Sequence, residues 1–285
     1  MHIPTAPGRA AWSAVVADPR STLVCTDFDG VLAPIVDDPE AAWASEDVMD
    51  ALGLIGARVG KVAVVTGRPA RTVVRLGRLH ERAGLRALTV LGLYGCERWD
   101  AATGEYTEPD APPTIAAAAA ELPALLEEVG LTGARVEDKR LSLGVHTREL
   151  AHPAAALERL REPLADLAAR HGLEVQPGRY VLELRASGQD KGGAVRRLVG
   201  ESRARTVVYA GDDLGDVPAF EAVRDLRGRG VVDGLLVCSG STEQDALVGL
   251  ADVVVPGPPG VAALFRALAG DRIYHDPSVP RKEAP

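Results

Sequence analysis

Short apolar runs of strand length alternate with longer segments of helical period along most of this chain, the pattern of a parallel sheet covered by helices. Leu23 to Phe28, Val62 to Thr66 and Leu88 to Tyr94 read as the first three strands. Between the first two, Ser45 caps a helix whose first turn carries Glu46 and Asp47, as the helix dipole favours. Its apolar positions Val48, Leu52, Ile55 and Val59 recur every three or four residues. A short helix follows Pro69. Beyond Trp99 the rhythm breaks, and residues 100–113, rich in Asp, Glu, Thr, Gly and Pro, read as a linker or exposed loop. A helix from Thr114 to Val129, a hairpin from Arg135 to Arg148, a helix from Pro153 to His171 and a hairpin from Leu173 to Arg185 then predict a small α+β module with one antiparallel sheet. The parallel rhythm returns with a helix from Lys191, strands at Thr206 to Ala210, Leu235 to Cys238 and Val253 to Val255, and helices after Asp216, near Thr242 to Leu250 and from Pro259 to Leu268. The expected fold class is α/β: a doubly wound, Rossmann-like parallel sheet core (residues 1–99 and 187–285) with an inserted α+β cap domain (100–186).

Composition narrows the partners. Thirty-two basic residues against forty acidic ones leave a net charge of −8, so the chain carries no electrostatic footprint for nucleic acid or an anionic membrane. A small molecule is the expected partner. Cys25, Cys96 and Cys238 are too few and too far apart for a disulfide framework or a CxxC zinc site. No uncharged apolar stretch is long enough to span a membrane, and the segment holding Pro4, Pro7 and Arg9 lacks a signal peptide's apolar centre, so the expected location is the cytoplasm.

Four groups that can do chemistry stand at or just after the C-terminal ends of expected core strands, the edge where open α/β sheets bind ligands. Asp27-Phe28-Asp29-Gly30 offers two carboxylates two residues apart, able to hold a divalent cation and keep an oxygen for attack; as half of a calcium loop it fails at Val31, where a ligand is wanted. Thr66-Gly67-Arg68 offers a hydroxyl and backbone N–H groups to an anion. Lys191 follows Asp190 at a helix start, where an ammonium works against the dipole unless something anionic lies nearby. It is one of only four lysines, with Lys61, Lys139 and Lys282. Gly211-Asp212-Asp213-Leu214-Gly215-Asp216 packs three carboxylates into five residues, and like charges so close invite a hard cation. No GxGxxG after a strand, Walker loop or GxSxG elbow is present.

In their order, Asp-x-Asp, Thr, Lys and an Asp cluster resemble the haloacid-dehalogenase superfamily of phosphatases. Within it the chain resembles the trehalose-6-phosphate phosphatase family over residues 22 to 268. Carrying that likeness are Asp27-Phe28-Asp29-Gly30, Val65-Thr66-Gly67-Arg68, Gly92-Leu93-Tyr94-Gly95-Cys96-Glu97, Glu137-Asp138-Lys139 with His146 and Arg148, and Glu183-Leu184-Arg185 with Asp190-Lys191-Gly192. Val31, Tyr94, Arg179 and Gly215-Asp216-Val217 stand where that family usually has Thr, His, Lys and Thr-Asp-Glu.

The resemblance implies Mg2+-dependent hydrolysis of trehalose 6-phosphate to trehalose and phosphate through an aspartyl-phosphate. Asp27 would attack phosphorus, Asp29 would act as acid and then base, and Thr66 and Lys191 would hold the phosphoryl oxygens. The metal is assigned to the Asp27 carboxylate, the Asp29 carbonyl and Asp212, with Asp213 and Asp216 each left as a supporting group or an alternative ligand. Arg68, Glu137, Lys139, His146, Arg148, Arg179 and Glu183 are the expected substrate-binding residues, the charged ones of the cap reading sugar hydroxyls. The implied partners are a small-molecule sugar phosphate and, by functional coupling, a trehalose-6-phosphate synthase. Alternative readings are a phosphatase of another phosphorylated disaccharide or pseudo-disaccharide, a phosphomutase, and a non-catalytic sugar-phosphate sensor, the last disfavoured by the presence of both Asp27 and Asp29.

Overall fold

The computed structural model describes residues 3–36, 38–108, 110, 112–178, 180–186, 190–240 and 247–270. The chain divides into two compact units, Met1–Thr107 with Asp190–Pro285, and Glu108–Gln189 between them. The first stretch of the core runs α1 (Ala6–Ala17), β1 (Thr22–Thr26), α2 (Glu46–Gly56), β2 (Lys61–Val65), α3 (Ala70–Leu76), β3 (Leu88–Gly92), β4 (Glu97–Asp100) and β5 (Glu105–Thr107). The inserted unit is α4 (Pro113–Glu128), β6 (Arg135–Asp138), β7 (Ser142–His146), α5 (Pro153–Arg170), β8 (Leu173–Gly178) and β9 (Val181–Ala186). The core resumes with α6 (Lys191–Ser202), β10 (Thr206–Gly211), α7 (Val217–Gly228), β11 (Asp233–Gly240), β12 (Val253–Pro256) and α8 (Gly257–Leu268).

The core sheet has the order β12-β11-β10-β1-β2-β3-β4-β5, parallel from β12 to β3. Strands β1, β3 and β10 are buried along their whole length, which is why they read as unbroken apolar runs rather than alternating ones. Val24, Val64, Val208 and Val237 face one apolar cluster, while Leu23, Ala63, Val207 and Leu236 face another on the opposite side of the sheet. From β1 the chain builds outward through β2 and β3 on one side and through β10, β11 and β12 on the other. The strand order therefore reverses between β1 and β10, where neighbouring connections leave in opposite directions and open a crevice at the C-terminal edge. The Asp27 N–H bonds the Ala210 carbonyl at 2.9 Å across that junction.

Two expectations change. Of the expected linker, residues 100–107 belong to the core: β4 and β5 pair antiparallel and extend the core sheet, so the insert begins at Glu108 rather than at residue 100. Trp99 drives this, buried opposite Val90 of β3, while the turn residues Thr103 and Gly104 (φ +73°) supply the loop-like composition. A helix was also not foreseen at the N-terminus, where Thr5 caps α1 by accepting from the Gly8 N–H at 3.1 Å. Of the helix expected near Thr242 to Leu250, residues 242–246 lie outside the described ones and 247–250 form a turn.

The inserted unit has an antiparallel sheet of order β6-β7-β9-β8. Leu143, Val145, Leu182 and Leu184 pack on one face against Leu122 and Leu126 of α4 and Leu160, Leu164 and Leu167 of α5. Strand period 2 puts Glu137, Gly144 and Glu183, which stand opposite one another in register, on the other face. No helix among the described residues is long and apolar enough to cross a membrane.

Candidate active site

Asp27 follows β1 directly and is buried. Its Oδ1 accepts from the Phe28 N–H at 2.6 Å and its Oδ2 from Lys191 Nζ at 2.6 Å. Lys191 is the first residue of α6, whose N-cap Asp190 accepts from the Gly193 N–H at 2.7 Å. The anion required to explain a lysine at a helix start is Asp27 together with Asp216, whose Oδ1 lies 2.7 Å from the same ammonium. Burial works against that ammonium, but Asp216, Asp27 and Asp213 outweigh it and raise its pKa. Burial likewise raises Asp27, with the Lys191 charge opposing it.

Asp216 is buried and saturated. Besides Lys191 it accepts from the Tyr209 hydroxyl at 2.7 Å and from the Asp212 N–H at 3.0 Å. Asp213 caps the turn that follows, accepting from the Gly215 N–H at 2.9 Å. The Asp212 carboxylate, by contrast, takes no hydrogen bond from the described residues and lies over Gly30, where a Cβ would sit 2.0 Å from Oδ2. Gly30 has φ +66°, so glycine is required there both for its backbone and for space. Ser239, at the end of β11, holds the Gly30 carbonyl at 2.6 Å. Burial and then the neighbouring Asp27, Asp216 and Asp213 charges push Asp212 up to about 9. Carboxylate oxygens of Asp27, Asp212, Asp213 and Asp216 lie within 4.8 Å of one another, a hard-oxygen donor set that fits a divalent cation.

Thr66 is buried past the end of β2, and its Oγ1 accepts from the Arg68 N–H at 3.2 Å, leaving the hydroxyl hydrogen to donate to an anion. Arg68 grips Asp29 through both carboxylate oxygens, Nε to Oδ2 at 2.6 Å and Nη2 to Oδ1 at 2.7 Å, and also donates to the Pro39 carbonyl. Leu93 (φ +47°) and Tyr94 (φ +59°) are consecutive left-handed residues, their N–H groups bonded to the carbonyls of Arg68 and Thr66. That strained turn sets the Tyr94 ring against Gly67, whose Cβ, were there one, would lie 2.9 Å from the phenol oxygen.

In the inserted unit Glu183 accepts from Lys139 Nζ at 2.9 Å and Ser142 Oγ at 2.7 Å, and Glu137 bonds His146 at 2.8 Å. The absence of a side chain at Gly144 makes room for the second pair. These four expected substrate-binding residues therefore come together on one sheet face. Arg148 is exposed on the turn after β7, and Arg179 lies outside the described residues.

The sequence profile of the trehalose-phosphatase family matches residues 25–252. The chain belongs to that family. A trehalose-phosphate phosphatase of Mycobacterium bovis is 35% identical over 218 residues, covering 72% of this chain and 52% of the relative. This trehalose-phosphatase family member thus spans about half the length of the curated relatives it matches. The trehalose-6-phosphate phosphatase of Aspergillus fumigatus superposes with a TM-score of 0.68 at 23% identity, covering 92% of this chain and 97% of that one. The C-terminal domain of the C. albicans enzyme gives 0.71 at 21% identity, covering 94% and 98%. Those two likenesses show the trehalose-phosphatase fold, an α/β core with an inserted α+β cap. The sequence reading did not include Tyr209 and Ser239 in this site. Tyr209 does leave a signal, the one polar-tipped residue in the run Val207-Val208-Tyr209-Ala210.

Proposed function

We propose that this chain hydrolyses trehalose 6-phosphate to trehalose and phosphate through an aspartyl-phosphate, downstream of a trehalose-6-phosphate synthase. The observation that carries the reading is the buried Asp27–Lys191–Asp216 array beside an uncommitted Asp212. Two hydrogen bonds orient the Asp27 carboxylate, the nucleophile on this reading. Lys191 and the Thr66 hydroxyl stabilise the phosphoryl oxygens as charge shifts during transfer. Asp29, oriented by Arg68 through both carboxylate oxygens, protonates the leaving sugar oxygen and then deprotonates water.

Asp27, Asp212 and the Asp29 carbonyl would hold Mg2+, which supplies charge neutralisation at the phosphoryl group. Asp216 is the organiser of this set, because every bond it makes fixes Lys191, Tyr209 or the 212–213 backbone. Asp213, with one oxygen spent on Gly215, is the reserve ligand. A non-reducing disaccharide offers hydroxyls for recognition, and Glu183, Lys139, Glu137 and His146 supply donors and acceptors for them, with Arg148 and Arg179 as further candidates.

Tyr94, set against the Thr66 loop where the family usually carries His, favours one second reading, a different phosphorylated disaccharide. Phosphate release from trehalose 6-phosphate, glucose 6-phosphate and sucrose 6-phosphate, each with and without Mg2+, tests both. Trehalose 6-phosphate should have the highest kcat/KM; preference for another of the three overturns the assignment.

A further inference from the structure

A cleft of about 510 Å3 in the core unit lies over α3, shares no lining residue with the acidic cluster, and its lining is cationic and aromatic. Arg71 and Arg75 stand one turn apart on α3, and Arg78 follows the helix-ending Gly77. Arg78 adopts φ +49°, a conformation that non-glycine residues take rarely and that clusters at ligand clamps. Its guanidinium carbon lies 5.4 Å from the centre of the Trp43 ring, and that of Arg75 lies 5.7 Å from it. At the other end Arg71 lies 4.1 Å from the Tyr106 ring centre. Trp43 is 43% exposed, against 1% for Trp99.

In a chain of net charge −8, three arginines around one cleft call for a charged occupant. Two of them are neutralised only weakly. Arg75 pairs with Glu40 and Arg78 with Glu46, both carboxylates being mostly exposed, and pairs of that kind contribute little. Glu46 also keeps Arg82 when Arg78 leaves it. An incoming polyanion can therefore take Arg75 and Arg78 without stranding a buried charge. The exposed Trp43 ring adds a stacking platform for a planar group, and the cleft volume is that of a small-molecule site.

We propose that this cleft binds a nucleoside diphosphate, its base stacked on Trp43 and its phosphates held by Arg75 and Arg78. The site is separate from the proposed phosphatase reaction and does not depend on it. The test is calorimetric titration of the whole chain with ADP, adenosine and pyrophosphate, in chelator so that the acidic cluster repels phosphates. ADP should bind saturably, with adenosine and pyrophosphate each roughly tenfold weaker or more. Trp43→Ala and Arg75→Ala should each weaken ADP roughly tenfold or more, with the melting temperature unchanged. Tryptophan fluorescence of the unmodified chain gives a reading independent of any variant, and ADP should quench it saturably. The proposal is overturned by no saturable ADP binding, by pyrophosphate binding as tightly as ADP, by variants that bind ADP like the parent, or by unchanged fluorescence.

Discussion

Lys191 Nζ lies 2.6 Å from Asp27 Oδ2, and both side chains are buried at the junction of β1 and β10. One cation there serves two buried carboxylates, since Asp216 shares it. Asp27→Asn should abolish trehalose 6-phosphate turnover with little loss of stability, because the amide is nearly isosteric and relieves one buried charge. Lys191→Ala should destabilise by about 3–5 kcal/mol, because it strands two carboxylates away from water. Chemical denaturation beside phosphate release separates the two; near-normal turnover by Asp27→Asn would remove the covalent step.

The raised carboxylates set a pH dependence of their own. Asp212 holds its proton to about pH 9 in the folded chain, whereas the unfolded chain releases it near the ordinary 3.8. Between those values the native state binds more protons, so the metal-free protein should lose stability as pH rises from 5 to 9. Carboxylates held below their ordinary values, such as Asp100 and Glu137, act below that window and leave it clear. Melting temperatures in chelator at pH 5, 7 and 9 should fall for the parent, fall less for Asp212→Asn, and flatten when Mg2+ is added. An equal slope in Asp212→Asn would contradict the placement of that charge.

Glu183 distinguishes a sugar reader from a solvated charge. Glu183→Ala should lower kcat/KM for trehalose 6-phosphate roughly ten- to a hundred-fold, the loss of one or two charged hydrogen bonds. A small aryl phosphate, too short to need those contacts, should be hydrolysed at nearly the parent rate. Equal losses on both substrates would make the Lys139–Glu183–Ser142 cluster a structural element alone.

Asp252 gives a test of the fold apart from the chemistry. Its buried carboxylate accepts from the Thr5 hydroxyl, from Arg227 Nη1 at 2.8 Å and from the Leu236 N–H at 2.9 Å, tying α1 and α7 to β11. Asp252→Ala should cost about 3 kcal/mol or more and lower the melting temperature by roughly 6–12 °C. A shift under 2 °C, by the same ~2–4 °C per kcal/mol, would mean the hub contributes little.

The placement of the site residues at strand and helix ends was legible in the sequence because it is local. Asp27, Thr66, Lys191 and Asp212 each follow or open an element whose period could be read, and the sheet brings Asp27, Lys191 and the Asp212–Asp216 cluster together. The β4–β5 hairpin was not legible. A three-residue strand carries too few positions to show alternation, and its turn residues speak for a loop. Arg68 lies beside Thr66 in the sequence motif, but its partners Asp29 and Pro39 were not legible there, because they come from a loop distant in sequence.

By itself the sequence determined the alternation of strands and helices, the place of the insert to within a hairpin, and the residue types available at the sheet edge. Those follow from periodicity, capping and backbone preference, which act over a few residues. Only the tertiary structure decided how each carboxylate is engaged. Asp212, Asp213 and Asp216 are equivalent in composition, but Asp216 is enclosed by Lys191, Tyr209 and two backbone N–H groups, Asp213 is turned to its own loop, and Asp212 alone is left uncommitted over Gly30. Desolvation and pairing are properties of what packs around a charge, and for these residues that is supplied by β1 (Thr22–Thr26), α6 (Lys191–Ser202) and β10 (Thr206–Gly211), elements from opposite ends of the chain.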